Sequence, residues 1–233
     1  MRQLPLPFAE TPGFAKADFV DGPSNELARK WLEKPEFWTN GRLVLWGDAG
    51  CGKSHLLHIW AKAHGAAVFE GLTLRGLVAA PEHPVAVDDA DAAPDETALL
   101  HLLNGAGEAG RPVLLTARVP PARQDFSLAD LGSRLRGSLA VAILPPDEAM
   151  LDTLLTRLIA ERQLFLRMEV RNFLTSRLPR SPAVFREAIA RLERAAATGV
   201  KPTRAAAAAL LADLVDGEKL LQTRHFPERE GLL

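Results

Sequence analysis

The chain has 233 residues, of which 47% are hydrophobic and 24% charged, and its formal net charge is −1. This length suits one domain with a small appendage and is enough to bury a core. The near-neutral charge argues against a surface that binds nucleic acid mainly by electrostatic attraction. The single cysteine, Cys51, excludes an intramolecular disulfide. The sequence also shows no signal-peptide pattern and no apolar run of membrane-spanning length. Together with the low cysteine content, these features predict a soluble cytoplasmic protein.

The first part of the chain, up to about residue 145, alternates short apolar runs with helical patterns. After a proline-rich start, residues 25–34 are predicted to form a helix. Alternation of strands and helices at this spacing implies right-handed crossovers, and therefore a five-stranded parallel sheet covered by helices in an α/β fold. The strands are expected at 42–47, 66–71, 85–88, 112–117 and 139–144, with helices at 54–65, 95–109 and 127–135.

Beyond the "PPDEA" segment the chain contains helical patterns and no further strand signal. These helices are expected at 147–162, 169–178, 182–198 and 202–216, separated by proline and glycine breaks. The sequence thus divides into an N-terminal arm (1–17), an α/β nucleotide-binding domain (18–146), a small all-α lid domain (147–216) and a C-terminal tail (217–233). The tail has no assigned role.

The stretch "GDAGCGKS" matches the phosphate-binding pattern G-x-x-x-x-G-K-S and lies between a predicted strand and a predicted helix. Glycines in such a loop let successive backbone N–H groups surround phosphate oxygens, and the helix N-terminus adds partial positive charge. The lysine can reach the β- and γ-phosphates, and the serine can ligate Mg²⁺. The expected nucleotide contacts are Gly47, Asp48, Ala49, Gly50, Cys51, Gly52, Lys53, Ser54 and the following His55.

The strand ending in "VAVDDAD" supplies candidate carboxylates for the same site. Asp88, at the strand tip, is expected to hold Mg²⁺ together with Ser54, and Asp89 is expected to orient an attacking water. Asp91 leaves open the alternative of a solvated acidic loop. His55 and His58 are spaced like metal ligands, but the sequence shows no cysteine or carboxylate that completes a set, so they are interpreted as packing or surface residues.

Several blocks, in this order, resemble the DnaA/Hda family within the AAA+ ATPases. They are "DFVDGPSNELA", "LWGDAGCGKSHLLH", "VDDAD", "LTARVPP" and "LGSRLRGSLAVAILPPDE". The resemblance runs from about residue 19 to residue 194. It implies an AAA+ P-loop domain with a helical lid, and bound ADP or ATP with Mg²⁺. It also implies that the adenine side is lined by Phe19, Val20, Gly22 and Asn25.

The resemblance also assigns roles to arginines, whose guanidinium groups offer forked donors to phosphate oxygens. Arg134, in "GSRL", matches the finger that reaches a neighbouring subunit's nucleotide, with Arg136 as a rival. Arg180 matches the sensor arginine of the lid, with Arg186 as a weaker rival. One departure concerns Arg118, which stands where the family usually has an acidic sensor residue. This departure places intrinsic hydrolysis in doubt.

Two further expectations concern how the protein reaches DNA. After the last lid helix the sequence is too short for the helix-turn-helix domain that DnaA carries, so direct sequence-specific DNA binding is not expected. The opening "QLPLPF" resembles the short peptide by which proteins dock on the bacterial sliding clamp. In that mode the prolines restrict the unbound peptide and reduce the entropy lost on docking. The expected clamp contacts are Gln3, Leu4, Leu6 and Phe8.

Three functions are compatible with these features. The first is a negative regulator of replication initiation that docks on DNA-loaded clamp and stimulates ATP hydrolysis by DnaA. The second is a free-standing AAA+ ATPase or helicase loader. The third is an ADP-locked adaptor without catalytic effect. AAA+ sites lie between subunits and the clamp is dimeric, so a homodimer is also compatible with the resemblance.

Overall fold

The computed structural model describes residues 14–77 and 81–215. Its contacts divide the chain into two compact units. The first unit comprises residues 14–21, 26–47 and 53–142, and the second comprises residues 22–25, 48–52 and 143–215. The predicted clamp contacts and the tail 217–233 lie outside the described residues.

The first unit contains a five-stranded parallel sheet. This confirms the predicted α/β sheet. The three central strands consist almost entirely of buried residues, as expected for a parallel sheet with helices on both faces. The strands are β1 (Arg42–Trp46), β2 (Ala67–Glu70), β3 (Val85–Asp88), β4 (Val113–Ala117) and β5 (Leu139–Ala142). Their order in the sheet is β2-β3-β4-β1-β5.

One helix of this unit begins at a residue with the expected capping chemistry. The Asp95 side chain caps a helix by accepting a hydrogen bond from the Ala98 N–H at 3.0 Å. Apolar residues of that helix, including Leu99 and Leu102, pack with the central strands in one buried cluster. The helices are α1 (Pro23–Leu32), whose residues 23–25 belong to the second unit, α2 (Lys53–His64), α3 (Glu96–Glu108) and α4 (Ala129–Arg136).

The second unit is helical around a core that includes Leu155, Leu174, Phe185 and Ile189, all fully buried. Its helices are α5 (Glu148–Glu161), α6 (Met168–Arg177), α7 (Pro182–Ala197), α8 (Arg204–Leu210) and α9 (Ala212–Val215).

The prediction of one continuous helix over 202–216 is wrong, because the chain breaks at Leu211 between α8 and α9. The guanidinium of Arg191 donates to the Leu210 carbonyl at 3.3 Å and to Asp213 at 2.6 Å. Leu211 itself is fully buried. Two features account for the break: Arg191 binds the Leu210 carbonyl from another helix, and Leu211 is buried.

Candidate functional site

The glycine-rich loop between β1 and α2 has the backbone conformation that its sequence predicts. Gly50 and Gly52 have φ angles of 78° and 106°, a region that side-chain-bearing residues rarely adopt. At Gly50 an added Cβ would also lie 2.3 Å from the Ser181 Oγ. The loop therefore requires glycine at Gly50 for both its backbone angle and its space.

Lys53 starts α2 and is 5% exposed. Its Nζ donates to the carbonyl of Gly47 at 2.8 Å, so the ammonium group is held across the loop. An ammonium at this place can bind a phosphate oxygen as a point charge. Asp48 and Ala49 are exposed, whereas Cys51 is buried and its N–H donates to the Asp48 carbonyl at 3.4 Å.

Ser54 and Asp88 come together as the sequence predicts. The Ser54 hydroxyl donates to Asp88 Oδ1 at 3.0 Å, and the Thr116 hydroxyl donates to the same oxygen at 2.5 Å. Asp88 is 7% exposed, so these donors compensate a nearly buried carboxylate. A hydroxyl beside a carboxylate is an all-oxygen donor pair that fits Mg²⁺.

Sequence reasoning missed Thr116. Its hydroxyl not only donates to Asp88 but also accepts the backbone N–H of Asp89 at 2.8 Å. The available signal was a polar residue within the otherwise apolar, fully buried strand β4. Its two hydrogen bonds hold the Asp88 carboxylate and the Asp89 backbone at the end of β3.

Asp89 adopts the left-handed conformation, with φ 48° and ψ 51°. Burial, followed by the neighbouring charges of Asp88 and Asp91, raises the pKa of Asp89, while Lys53 and Arg118 oppose that shift. Its carboxyl group therefore lies near two cations, at a place where burial favours the protonated form more than it does for an exposed aspartate. Such a group is a candidate general base. This role is closely related to the predicted one, in which Asp89 orients the attacking water.

Arg118 is exposed, and its backbone N–H donates to Asp91 Oδ2 at 2.7 Å. The Asp91 carboxylate therefore holds the start of the segment that follows β4. It is not only part of a solvated acidic loop, which was the alternative interpretation.

Gly71, directly after β2, packs against the Asp88–Asp89 turn. An added Cβ would lie 2.1 Å from the Asp89 carbonyl oxygen, a backbone atom that cannot yield without moving the turn. We expect Gly71→Ala to destabilise the protein by about 1–3 kcal/mol and to lower Tm by several degrees, as overpacking does in other cores.

The matched control for that substitution is Gly107→Ala in α3, where nothing lies within 4 Å of the added Cβ. Alanine should leave Tm unchanged or raise it slightly at this helical site. Thermal melts followed by circular dichroism measure both variants, and equal Tm values for them would contradict the proposed contact.

The segment predicted to line the adenine side divides between the two units. In the first, the Phe19 ring meets the His55 ring edge-on with centroids 5.2 Å apart, and His55 Nε2 lies 3.0 Å from the Ala15 carbonyl oxygen. In the second, the Gly22 N–H donates to Oδ1 of the fully buried Asn25 at 3.2 Å. Val20 is partly buried.

The predicted finger, Arg134, lies on α4 with a side chain that is 37% exposed, and its Nε is 3.3 Å from Asp130. The end of α4 is fixed to the start of β1, since Asn40 donates to the Gly137 carbonyl at 2.9 Å. Burial, and after it the charge of Arg134, lowers the pKa of Arg42. The rival Arg136 lies instead over the Phe126 ring, with its guanidinium carbon 5.6 Å from the centroid.

In the second unit, the predicted sensor Arg180 is exposed and immediately precedes Ser181, the residue next to Gly50. Its rival Arg186 lies one turn inside α7 and is partly buried. This placement is compatible with the sensor role of Arg180, which stays a prediction. Within residues 14–77 and 81–215, no helix combines the length and apolar character needed to cross a bilayer.

Fold and site together define this chain as a P-loop protein with the AAA+ fold. No profile of a known family and no curated protein matches the sequence. Solved structures do match. Domain III of the replication initiation protein DnaA from Thermotoga maritima has a TM-score of 0.68 at 21% identity, over 88% of this chain and 98% of that one.

Two other solved structures give the same result. AMPPCP-bound DnaA from Aquifex aeolicus has a TM-score of 0.67 at 19% identity, over 92% of this chain and 73% of that one. The Thermotoga maritima RuvB Holliday junction branch migration motor has a TM-score of 0.60 at 17% identity, over 91% of this chain and 78% of that one. At these identities the likeness establishes the fold.

Proposed function

We propose that this protein is an Hda-like negative regulator of bacterial replication initiation. The observation that carries the proposal is a P-loop site with Lys53, Ser54 and Asp88 in place, on the fold of DnaA domain III. In this proposal the protein binds ADP or ATP with Mg²⁺ and acts in the cytoplasm on DnaA. Lys53 binds phosphate oxygens, and Ser54 and Asp88 hold the cation, directly or through water.

The effect on the partner would come from Arg134. In this proposal the arginine reaches the nucleotide of ATP-bound DnaA, where a guanidinium supplied in trans neutralises charge that develops during hydrolysis. Support comes from its partly exposed position on a helix whose end is anchored to β1. A homodimer that exposes Arg134 on each copy remains compatible with this scheme.

The N-terminal arm would bring the protein to DNA through the sliding clamp. An extended peptide can bind such a surface through main-chain hydrogen bonds and apolar anchors. Gln3 would supply the polar contact, and Leu4, Leu6 and Phe8 the apolar ones. The described chain begins at Phe14, whose ring stacks on His58 of α2 with centroids 4.0 Å apart.

Alanine at Gln3, Leu6 or Phe8 should reduce clamp retention by at least about tenfold, since a few buried anchors carry most of the binding energy of such interfaces. The measurement is surface plasmon resonance with immobilised clamp. Glu10→Ala in the same arm is the control and should bind like the wild type. Unchanged retention of all three variants would remove the clamp from the proposal.

A free-standing ATPase or helicase loader is the second candidate, and the raised pKa of Asp89 beside Lys53 favours it. Turnover of ATP by the isolated protein, lost in Asp89→Asn, would support that candidate. Arg118 opposes it, because a cation at this place weakens the basicity of Asp89. Negligible turnover alone, with stimulation of DnaA in the full mixture, supports the regulator.

A further inference from the structure

Three side chains that bind metals in many proteins converge on one face of the sheet. One ligand atom each from His58, Glu70 and Asp88 lie within 4.8 Å of one another. No sequence pattern joins them, because they come from three separate elements. The sequence pattern favoured a packing role for His58 because no carboxylate completed a ligand set. In the structure, Glu70 and Asp88 supply those carboxylates.

The register of the sheet explains two members of this cluster. Glu70 ends β2, Asp88 ends β3, and the two residues are directly paired in the parallel ladder. Paired residues of neighbouring parallel strands project from the same face, so both carboxylates point to one side of the sheet.

The helix period explains the third. Ser54 and His58 are four residues apart on α2, so they share one face of that helix. The Ser54 hydroxyl already reaches Asp88 Oδ1 at 3.0 Å. One turn further along, the imidazole of His58 therefore lies beside the same two strand ends.

The environment of His58 leaves its nitrogens available. The Phe14 ring stacks on the imidazole at an interplanar angle of 14°, which covers a ring face and leaves the in-plane nitrogens open. Among the described residues no hydrogen bond to either nitrogen is present. His55 and His64 differ, since each places a ring nitrogen 3.0 Å from a backbone carbonyl oxygen.

We propose that His58, Glu70 and Asp88 form a binding site for a divalent first-row transition cation such as Zn²⁺, Co²⁺ or Mn²⁺. One imidazole nitrogen with two carboxylates suits these ions, whereas Mg²⁺ prefers oxygen ligands alone. Bonds of about 2.0–2.2 Å place two ligands of one ion at most about 4.4 Å apart, so the cluster needs to contract only slightly.

Asp88 connects this site to the nucleotide site. The hydroxyls of Ser54 and Thr116 both donate to its Oδ1, and such outer-shell donors orient a ligating carboxylate. The two sites share Asp88, but the proposed transition-metal site differs by its imidazole nitrogen and by Glu70, which take no part in the P-loop. Its occupancy can therefore be measured while Mg²⁺ is present in excess.

The test is a Co²⁺ titration of the full-length protein in millimolar Mg²⁺, followed by visible absorption and by equilibrium dialysis. We expect one Co²⁺ per chain, with an absorption spectrum typical of mixed nitrogen and oxygen ligation. His58→Gln and Glu70→Gln should each weaken binding by about 10–100-fold. His101→Gln is the control, because His101 is exposed on α3 and is not a member of the cluster.

A second measurement guards against variants that fold poorly. A cation that binds only the folded state raises Tm, so Zn²⁺ should stabilise the wild type and His101→Gln but neither cluster variant, whatever their starting Tm. Absence of Co²⁺ binding by the wild type, or binding by His58→Gln at wild-type strength, would overturn the proposal.

Discussion

Replacing Lys53 by alanine is expected to weaken ADP and ATP binding by roughly 100-fold or more, which corresponds to about 2.7 kcal/mol. The ammonium is the cation held across the glycine-rich loop, 2.8 Å from the Gly47 carbonyl, and it is only 5% exposed. A charge-assisted bond to phosphate at such a buried place is much stronger than at the surface. Alanine removes both the charge and the tie across the loop.

The measurement is fluorescence titration with a labelled nucleotide in the presence of Mg²⁺. Lys62→Ala is the matched control, because Lys62 lies on the same helix, α2, but is exposed. It should bind nucleotide like the wild type. Equal affinities for the two variants would show that Lys53 does not contact phosphate, and the proposed function would then lose its basis.

The parallel sheet could be predicted because its strands are continuous buried runs. β3 was predicted with its observed bounds, Val85–Asp88, since an apolar run ending in acidic residues marks both the strand and its tip. The break at Leu211 could not be predicted. It depends on Arg191, which binds the Leu210 carbonyl from another helix, and a local alanine-rich pattern contains no trace of that contact.

The candidate site shows the same division between local and distant information. The loop from Gly47 to Ser54 is contiguous in sequence, so its pattern alone predicts its conformation. Thr116 and Glu70 are different, because only strand register brings them beside Asp88. Reading each strand separately identifies polar residues, but it does not indicate which of them share a face at the same sheet edge.

Under the proposed function, Arg134→Ala is expected to reduce stimulation of ATP hydrolysis by DnaA at least about 100-fold, since an arginine supplied in trans contributes roughly 10³–10⁵ in comparable reactions. The assay contains DNA-loaded clamp, ATP-bound DnaA and this protein, and follows phosphate release. Protein stability should change little, because the exposed pair of Arg134 with Asp130 at 3.3 Å contributes almost nothing.

The structure offers a sharp control for that experiment. Arg136 lies on the same helix, but its guanidinium packs over the Phe126 ring of its own chain, at 5.6 Å from the centroid. Arg136→Ala should therefore retain stimulation. Arg134→Lys should not, because an ammonium lacks the planar fork of donors that binds two phosphate oxygens at once.

The pattern of losses identifies the finger. Loss in Arg136→Ala with activity in Arg134→Ala would transfer the role to Arg136 and require its release from Phe126. Full stimulation by both variants would exclude either arginine as the group that reaches the partner's nucleotide. If clamp retention by the arm persists in that case, the protein acts as an adaptor that recruits partners without taking part in hydrolysis.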